Sequence, residues 1–470
     1  MLKKLILPLS ILAMTMTINV SANDTKQQTT VNAEQQQFSD LDLAKWAMPV
    51  SSFYAQKTAN VRDMNAMPNQ ILFWSQPFDS NNQILTPNDT VLYISAQIET
   101  FNGPMVLEVP AAQGELGIFG SLVTPFMEPL EDVGGSKGID QNNGGKILIT
   151  PPGYKGEIPA DYLHVPSEHF NTVAGFRITP DSFEEKDIAV AVNFIKSMKL
   201  HPLGSNEATV FVDGENKPYN PRPLYGKSFF VFLDKYIQEE NHKAQDLPFI
   251  EELKRLGLEK GKKFEPTQLH ESIGNALYTD RTIAFANVGE QFFPDSNWTT
   301  PVQPMEAMTQ FTYVDDNGYH WEERSLTWHW AIWGPKHLGG DSFYLIGQKE
   351  ANGDILTGDK TYKFTVPANV PAEKFWSVTV YDATTGGTFF KGLPKVGISS
   401  KQQDLDYNED GSTTLYFGPE KPVGVSAGNY VPTQGDDKWF SLFRWYGPQP
   451  ELMPPAGDDR WTMGNFELVN

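Results

Sequence analysis

Cysteine is absent from all 470 residues, so neither a disulfide nor a lipid-modified N-terminal cysteine can form, and stability has to come from packing. After Val20 no segment approaches the ~18 consecutive apolar residues of a membrane-spanning helix, so no membrane insertion is expected beyond that point. Positive charge is scarce: 37 Lys and Arg stand against 58 Asp and Glu, a formal net charge of -21. A surface of that sign repels nucleic acid and anionic membrane, and no nucleic-acid partner is expected. Nucleotide signatures are missing too. Gly144-Gly145-Lys146 has Asp140 where a phosphate loop needs glycine and Ile147 where it needs Ser or Thr, and no dinucleotide fingerprint occurs. Gly134-Gly135-Ser136-Lys137-Gly138 spells a nucleophile elbow, but Ile139 to Gly145 continues as a loop where that motif requires a helix.

What is present begins with Lys3-Lys4, an apolar stretch from Leu5 to Val20 broken by small polar residues, and the small-x-small site Val20-Ser21-Ala22. This pattern predicts a signal peptide over residues 1–22, cleaved after Ala22, and hence a periplasmic or secreted protein. Loss of Lys3 and Lys4 takes the charge from -21 to -23. Residues 23–38, rich in Gln, Thr and Asn, cannot offset their ordering entropy and read as a flexible leader.

The remaining length suits two or three domains. Residues 39–205 carry short apolar runs separated by Asn, Gly and Pro, such as Val91 to Ile98 and Thr172 to Ile178, as in an antiparallel sandwich. Ser182-Phe183-Glu184-Glu185 spells a capping box before Ile188, Val192 and Ile195 at helical spacing. Residues 206–300 form a helical middle segment, with helix starts at Asp246 and Thr267. Residues 301–470 return to strands with turns at Asp315 to Gly318, Asn352-Gly353 and Asn408 to Gly411, and Leu326 to Trp333 is expected to be an aromatic-rich strand. The predicted fold is mainly β: two antiparallel β-sandwich domains around that helical middle.

Two series of motifs carry a resemblance. Thr86-Pro87-Asn88-Asp89-Thr90 through Tyr93, then Gly103-Pro104, Pro151-Pro152-Gly153-Tyr154-Lys155-Gly156 and Arg177, resembles the domain of unknown function 1254. Phe375-Trp376-Ser377 through Tyr381-Asp382, then Gly411-Ser412, Leu415-Tyr416-Phe417 and Arg444-Trp445-Tyr446-Gly447-Pro448, resembles the domain of unknown function 1214. Asn429-Tyr430 departs from that family's usual Asn-Trp. The resemblance implies two jelly-roll-like domains and export, and supplies no reaction.

Candidate chemistry follows from residue types. Asp89, Tyr93 and Arg177 offer an acid, a phenol and an anion partner, and stand as candidate catalytic residues. Asn88, Thr90, Lys155, Trp376 and Arg444 are candidate ligand-binding residues. The competing reading of Asn88 to Thr90 is a structural Asx turn beside a core tyrosine. Asp406, Asn408 and Asp410 spell half a calcium loop, but Phe417 stands where a bidentate glutamate belongs, and a hairpin turn explains the same residues. Two histidine groups, His164 and His169 with Glu168, and His320 with Glu322 and His329, have ligand-like spacing that scattered histidines also give by chance, so no metal is assigned. The leading expectation is an exported protein that binds or acts on a small polar ligand in a cleft between the β domains. A phosphate-ester enzyme using Arg177, Lys155 and Arg444 as clamps is the alternative, and a non-catalytic envelope component the third; self-association stays open.

Overall fold

In the computed structural model the described residues are 38–114, 116–301, 309–331, 333–337, 342–388, 393, 395–435, 437–453 and 460–469. The expected signal peptide and all of the leader except Phe38 lie outside them; Phe38 stacks on Phe249 with ring centroids 4.2 Å apart. The chain is mainly β, built of several antiparallel sheets with seven helices among the described residues: α1 (Asp40–Trp46), α2 (Met48–Met64), α3 (Glu185–Ser197), α4 (Lys227–Glu239), α5 (Leu247–Leu253), α6 (Gln268–Phe285) and α7 (Trp321–Trp330).

The first sandwich pairs a six-stranded sheet, in the order Phe211–Asp213, Ile71–Phe73, Leu92–Glu99, Asn171–Thr179, Gly117–Val123, Pro129–Gly134, with a four-stranded sheet, Tyr162–Pro166, Gly145–Thr150, Met105–Val109, Lys199–Pro202. Alternation decides which side chains go where. Leu92, Ile94, Ala96 and Ile98 enter the sandwich core with Ile147, Ile149 and Phe176, and Ile188, Ala191 and Ile195 of α3 close it. That helix starts at Glu185 without a side-chain cap, so the capping box read at Ser182 does not form; the Ser182 hydroxyl donates to Asp187 instead, at 2.5 Å. Tyr93, Ser95 and Gln97 alternate to the other face of the larger sheet. There Leu72, Tyr93, Val123 and Val173 share a core with α1, α2, α4 and α5. Ser95 accepts from Gln56 and Asn60 of α2, both at 3.4 Å.

The second sandwich sets Trp298–Thr299, Ser342–Gly347, Trp439–Pro448, Ala372–Asp382, Gly397–Ser399 against Tyr430–Pro432, Thr413–Gly418, Tyr362–Val366, Glu467–Leu468. Trp376, Val378, Val380, Phe443 and Trp445 point into its core. The other face of its larger sheet carries Ile346, Tyr381, Phe440 and Leu442, covered by Phe285 of α6 and Trp330 of α7.

The strand expected over Leu326 to Trp333 is instead mostly helix α7. Arg324, Ser325, Thr327, Trp328, His329 and Trp330 are all buried there, because Trp328 packs in the core beneath the first sheet while Trp330 packs beneath the second. Past its exposed first turn, with Glu322 and Glu323, the helix is buried on nearly every side and shows no amphipathic stripe. The helices other than α3, including α1 and α2 before the first strand, thus form a layer on which both large sheets rest.

Candidate functional site

Where the second faces of the two large sheets meet, the loop from Ile84 to Thr90 is wedged between them. Thr86 adopts φ 41°, a costly conformation for a β-branched residue, and its N–H donates to Gly386 of the second sandwich at 2.7 Å. Asn88 forms the Asx turn: its Oδ1 accepts from the Thr90 N–H at 2.9 Å and the Thr90 hydroxyl at 2.6 Å. Its side-chain amide donates to the Tyr446 hydroxyl, and its N–H donates to the Tyr93 hydroxyl at 2.9 Å. The Tyr381 hydroxyl donates to the Pro87 carbonyl at 2.5 Å. The wedge is therefore hydrogen-bonded to both sandwiches.

Arg444 is almost wholly buried, at 2% exposure. It donates to the Thr379 hydroxyl at 3.0 Å, the Tyr381 hydroxyl at 2.6 Å and the Thr86 carbonyl at 3.2 Å. Thr379 in turn donates to Asp89 at 3.1 Å, so Asp89 sits behind Arg444 as its partner through a hydroxyl relay. Gly397 makes room for it, since a Cβ there would stand 2.7 Å from Asp89 Oδ2. Burial raises the Asp89 carboxyl above its usual value, and Arg444 and the Thr379 hydrogen bond hold that rise in check.

Beside the wedge a cavity of about 440 Å³ opens between the sandwiches. Most of its wall is apolar or aromatic: Leu85, Phe119, Trp330, Trp333 and Phe343 among others. Trp333 lies flat against the first sheet because Gly175 has no side chain; a Cβ there would meet the indole at 2.5 Å. One corner is cationic. Arg177 lies over the Phe119 ring, 5.0 Å from its centroid, and reaches the Tyr344 hydroxyl at 3.5 Å, while Arg444 lies over the Tyr344 ring at 5.2 Å. Burial pushes the Tyr344 phenol up, but Arg177 and Arg444 outweigh it and leave the group below the ordinary tyrosine value. Tyr93, Tyr381 and Tyr446 are pushed up by the same burial and stay protonated.

Of the residues singled out in the sequence, Asn88, Tyr93, Arg177 and Arg444 line the cavity. Asp89 and Thr90 support it from behind. Two are elsewhere: Lys155 is exposed on a turn of the first sandwich, and Trp376 faces the opposite way, stacked on Phe443 at 5.5 Å inside the second core. Register explains Trp376: it pairs with Trp445, so it shares that face, while Arg444 pairs with Ser377. Tyr344, Tyr446, Phe119 and Trp333 were not singled out. Tyr446 had a readable signal, since Arg444 and Tyr446 are two residues apart and share a strand face.

The calcium-like segment is a hairpin turn that uses its own polar atoms. Asp410 accepts from the Ser412 N–H and hydroxyl at 2.9 and 2.6 Å, and Asn408 donates to Ser412 at 2.9 Å. His320 bonds Asp315 at 2.8 Å, His329 pairs with Tyr225 at 2.6 Å, and His169 is buried among rings. Among the described residues no three His, Cys, Asp or Glu side chains are grouped as a metal would require.

Two β-sandwiches with a shared helical layer and a cavity at their junction define the class of the protein. Residues 68–202 match the family described as protein of unknown function DUF1254, and residues 341–450 match protein of unknown function DUF1214. The chain belongs to the family that carries these two domains in series. Arg177 and Tyr93 come from the first match, Tyr344 and Arg444 from the second. The fold is similar to that of the VPA0106 protein from Vibrio parahaemolyticus, with TM-score 0.53 and 15% identity over 92% of this chain and 100% of that one. An uncharacterized protein from Burkholderia cenocepacia aligns with TM-score 0.42 and 12% identity over 93% of this chain and 92% of that one. No curated protein matches the chain.

Proposed function

We propose that the protein binds a small organic anion with an apolar body, an aromatic or short-chain carboxylate being the simplest type, in the cavity between its sandwiches. One observation carries this reading. Among the described residues, four buried polar atoms on the cavity lining have no hydrogen-bond partner: Arg177 Nε and the indole nitrogens of Trp328, Trp330 and Trp333. All four are donors. Buried donors without acceptors are costly, on the order of 1–3 kcal/mol each, and a ligand rich in acceptors would satisfy them. A neutral sugar brings as many donors as acceptors and fits this set less well. The phosphate-ester reading required Lys155 as a clamp beside the two guanidiniums, and Lys155 lies apart on its exposed turn.

Benzoate, octanoate, inorganic phosphate, inositol hexakisphosphate and glucose, each added at millimolar concentration, form the test. The carboxylates should raise the melting temperature by mass action, and Arg177→Met should remove that response. Stabilisation by glucose alone, or a benzoate response unchanged in Arg177→Met, would sink the proposal. The N-terminal pattern supports export, with this site working in the cell envelope. Fractionation with N-terminal sequencing should find a mature chain starting at Asn23, and a cytoplasmic chain keeping Lys3 and Lys4 would refute it.

A further inference from the structure

We propose that the bound anion and the Tyr344 phenolate compete for the same two guanidiniums, so that at pH values where Tyr344 is ionised ligand binding is accompanied by proton uptake there; this rests on the anion-binding reading above. Tyr344 lies on the strand Ser342–Gly347, directly opposite Arg444 in the sheet register. Arg177 approaches its hydroxyl from the first sandwich, Arg444 covers its ring from the second, and Ser342 donates to its oxygen at 3.3 Å. Neither arginine forms an ion pair with a carboxylate among the described residues. Asp89, whose charge Arg444 favours, is engaged by Thr379 between them.

The other ionisable groups facing this corner are Tyr93 on the first sheet and, beside Arg444 on the second, Tyr381 and Tyr446, with Asp89 behind them. Farther round the wall stand Asp132, bonded to His337 at 3.1 Å, with Lys137 and Glu290. Two buried cations thus share one weak acid. Tyr344 is the phenol of this corner whose ionised form the two guanidiniums favour, while burial raises its neighbours, so where Tyr344 ionises its phenolate is their counter-charge. A carboxylate entering the corner supplies a permanent negative charge. The phenolate then loses the attraction that kept it ionised and takes a proton from solvent, and its new O–H donates to the carboxylate. No covalent bond forms or breaks other than that O–H, and charge balances because one anion replaces another beside the same cations.

The test follows the tyrosinate ultraviolet band of the full-length protein from neutral to alkaline pH, with and without sodium benzoate as the probe. Of the 17 tyrosines, one should titrate ahead of the rest and be missing in Tyr344→Phe. Saturating benzoate should move that early titration up by about one pH unit or more, and benzoate affinity should weaken reciprocally as the group ionises. Tyr344→Phe should bind benzoate with an affinity independent of pH over that range. Arg177→Met gives a second readout that does not need the Phe variant to fold: its early titration should merge with the others in the absence of any ligand. Benzoate that stabilises the protein without moving the early tyrosine overturns the proton coupling and leaves the anion site standing. An early tyrosine that persists in Tyr344→Phe overturns it as well. Failure of benzoate to bind at any pH overturns the anion reading, and this inference with it.

Discussion

A guanidinium removed from water costs several kcal/mol unless acceptors or a counter-charge replace the solvent. Arg177 has few acceptors: one contact of 3.5 Å to the Tyr344 phenol, a ring face, and an Nε with no partner among the described residues. Arg444, by comparison, places three hydrogen bonds. Arg177 is therefore expected to be kept for binding at the expense of stability. Arg177→Met, similar in length and apolar, should raise the unfolding free energy by roughly 1–3 kcal/mol while abolishing carboxylate binding. A denaturant melt showing the variant less stable than the parent would mean that Arg177 is a structural residue. At this scale the sequence was legible where polar residues sit in rigid motifs, as with Asn88, Tyr93, Arg177 and Arg444. It was not legible for Tyr344 and Trp333, which come from strand and loop with no motif around them and become site residues only because the second sandwich folds onto the first. Trp376 shows the same limit from the other side, since which face of a strand looks outward depends on pairing that one chain's spelling does not reveal.

Elements that rest on two cores were the hardest to read. Helix α7 contains aromatic and β-branched residues that favour strands in isolation, and burial of nearly every residue from Arg324 to Trp330 erased the stripe that would have marked a helix. At α1 the sign was there: Ser39 and Asp42 form a capping box, spelled in the sequence as Ser-Asp-Leu-Asp. Where α4 meets the first sheet, a set of buried titratable groups predicts how stability depends on pH. His169 and His242 flank Tyr236, with ring centroids 6.1 and 5.2 Å away, and neither ring nitrogen of His169 has a partner among the described residues. Burial pushes them down to about 3 and about 4 from 6.5. Both are neutral in the folded chain and protonated in the unfolded one below pH 6.5, so each contributes stability that is lost as the pH falls. Glu240, which accepts from the Phe170 and Asn171 N–H groups at 2.7 and 2.9 Å, runs the other way. Burial raises it from 4.5 to about 7, so the folded chain takes up that proton first and stability is gained as the pH falls between those values. From pH 6.5 to 4.5 the net difference approaches one proton held by the unfolded chain, at most about 1.4 kcal/mol lost per pH unit from this cluster because His242 is partly exposed and screened. His169→Phe keeps the ring packing and removes one histidine, leaving His242 and Glu240 to cancel. Chemical unfolding across that range should show the parent losing stability steadily and the variant losing about 1.4 kcal/mol per unit less; equal slopes would contradict the assignment.

On the scale of the molecule, the two sandwiches can each be drawn separately, and the two family matches suggest units that fold alone. The packing argues otherwise. The larger sheet of the first sandwich buries Leu72, Tyr93, Val123 and Val173 against helices, and the larger sheet of the second buries Ile346, Tyr381, Phe440 and Leu442 against Phe285 and Trp330. Because α7 contributes to both of these cores, separating the sandwiches would strip apolar surface from each, at about 25 cal/mol per Å² exposed. The loop from Ile84 to Thr90 adds a lock, donating to or accepting from Tyr381, Gly386 and Tyr446 of the second sandwich. The described residues from Phe38 onward also group as one compact unit. One cooperative transition is therefore expected in calorimetry, with the van't Hoff enthalpy matching the calorimetric one. The segment from Glu290 to Asn470 produced alone should expose Phe440 and Leu442, aggregate, and lack that transition. Two resolved transitions in the full chain, or a soluble and cooperatively melting segment, would show that the cavity lies between independent bodies, and a cavity of that kind would open and close with them instead of holding Arg177 and Arg444 in place before a ligand arrives.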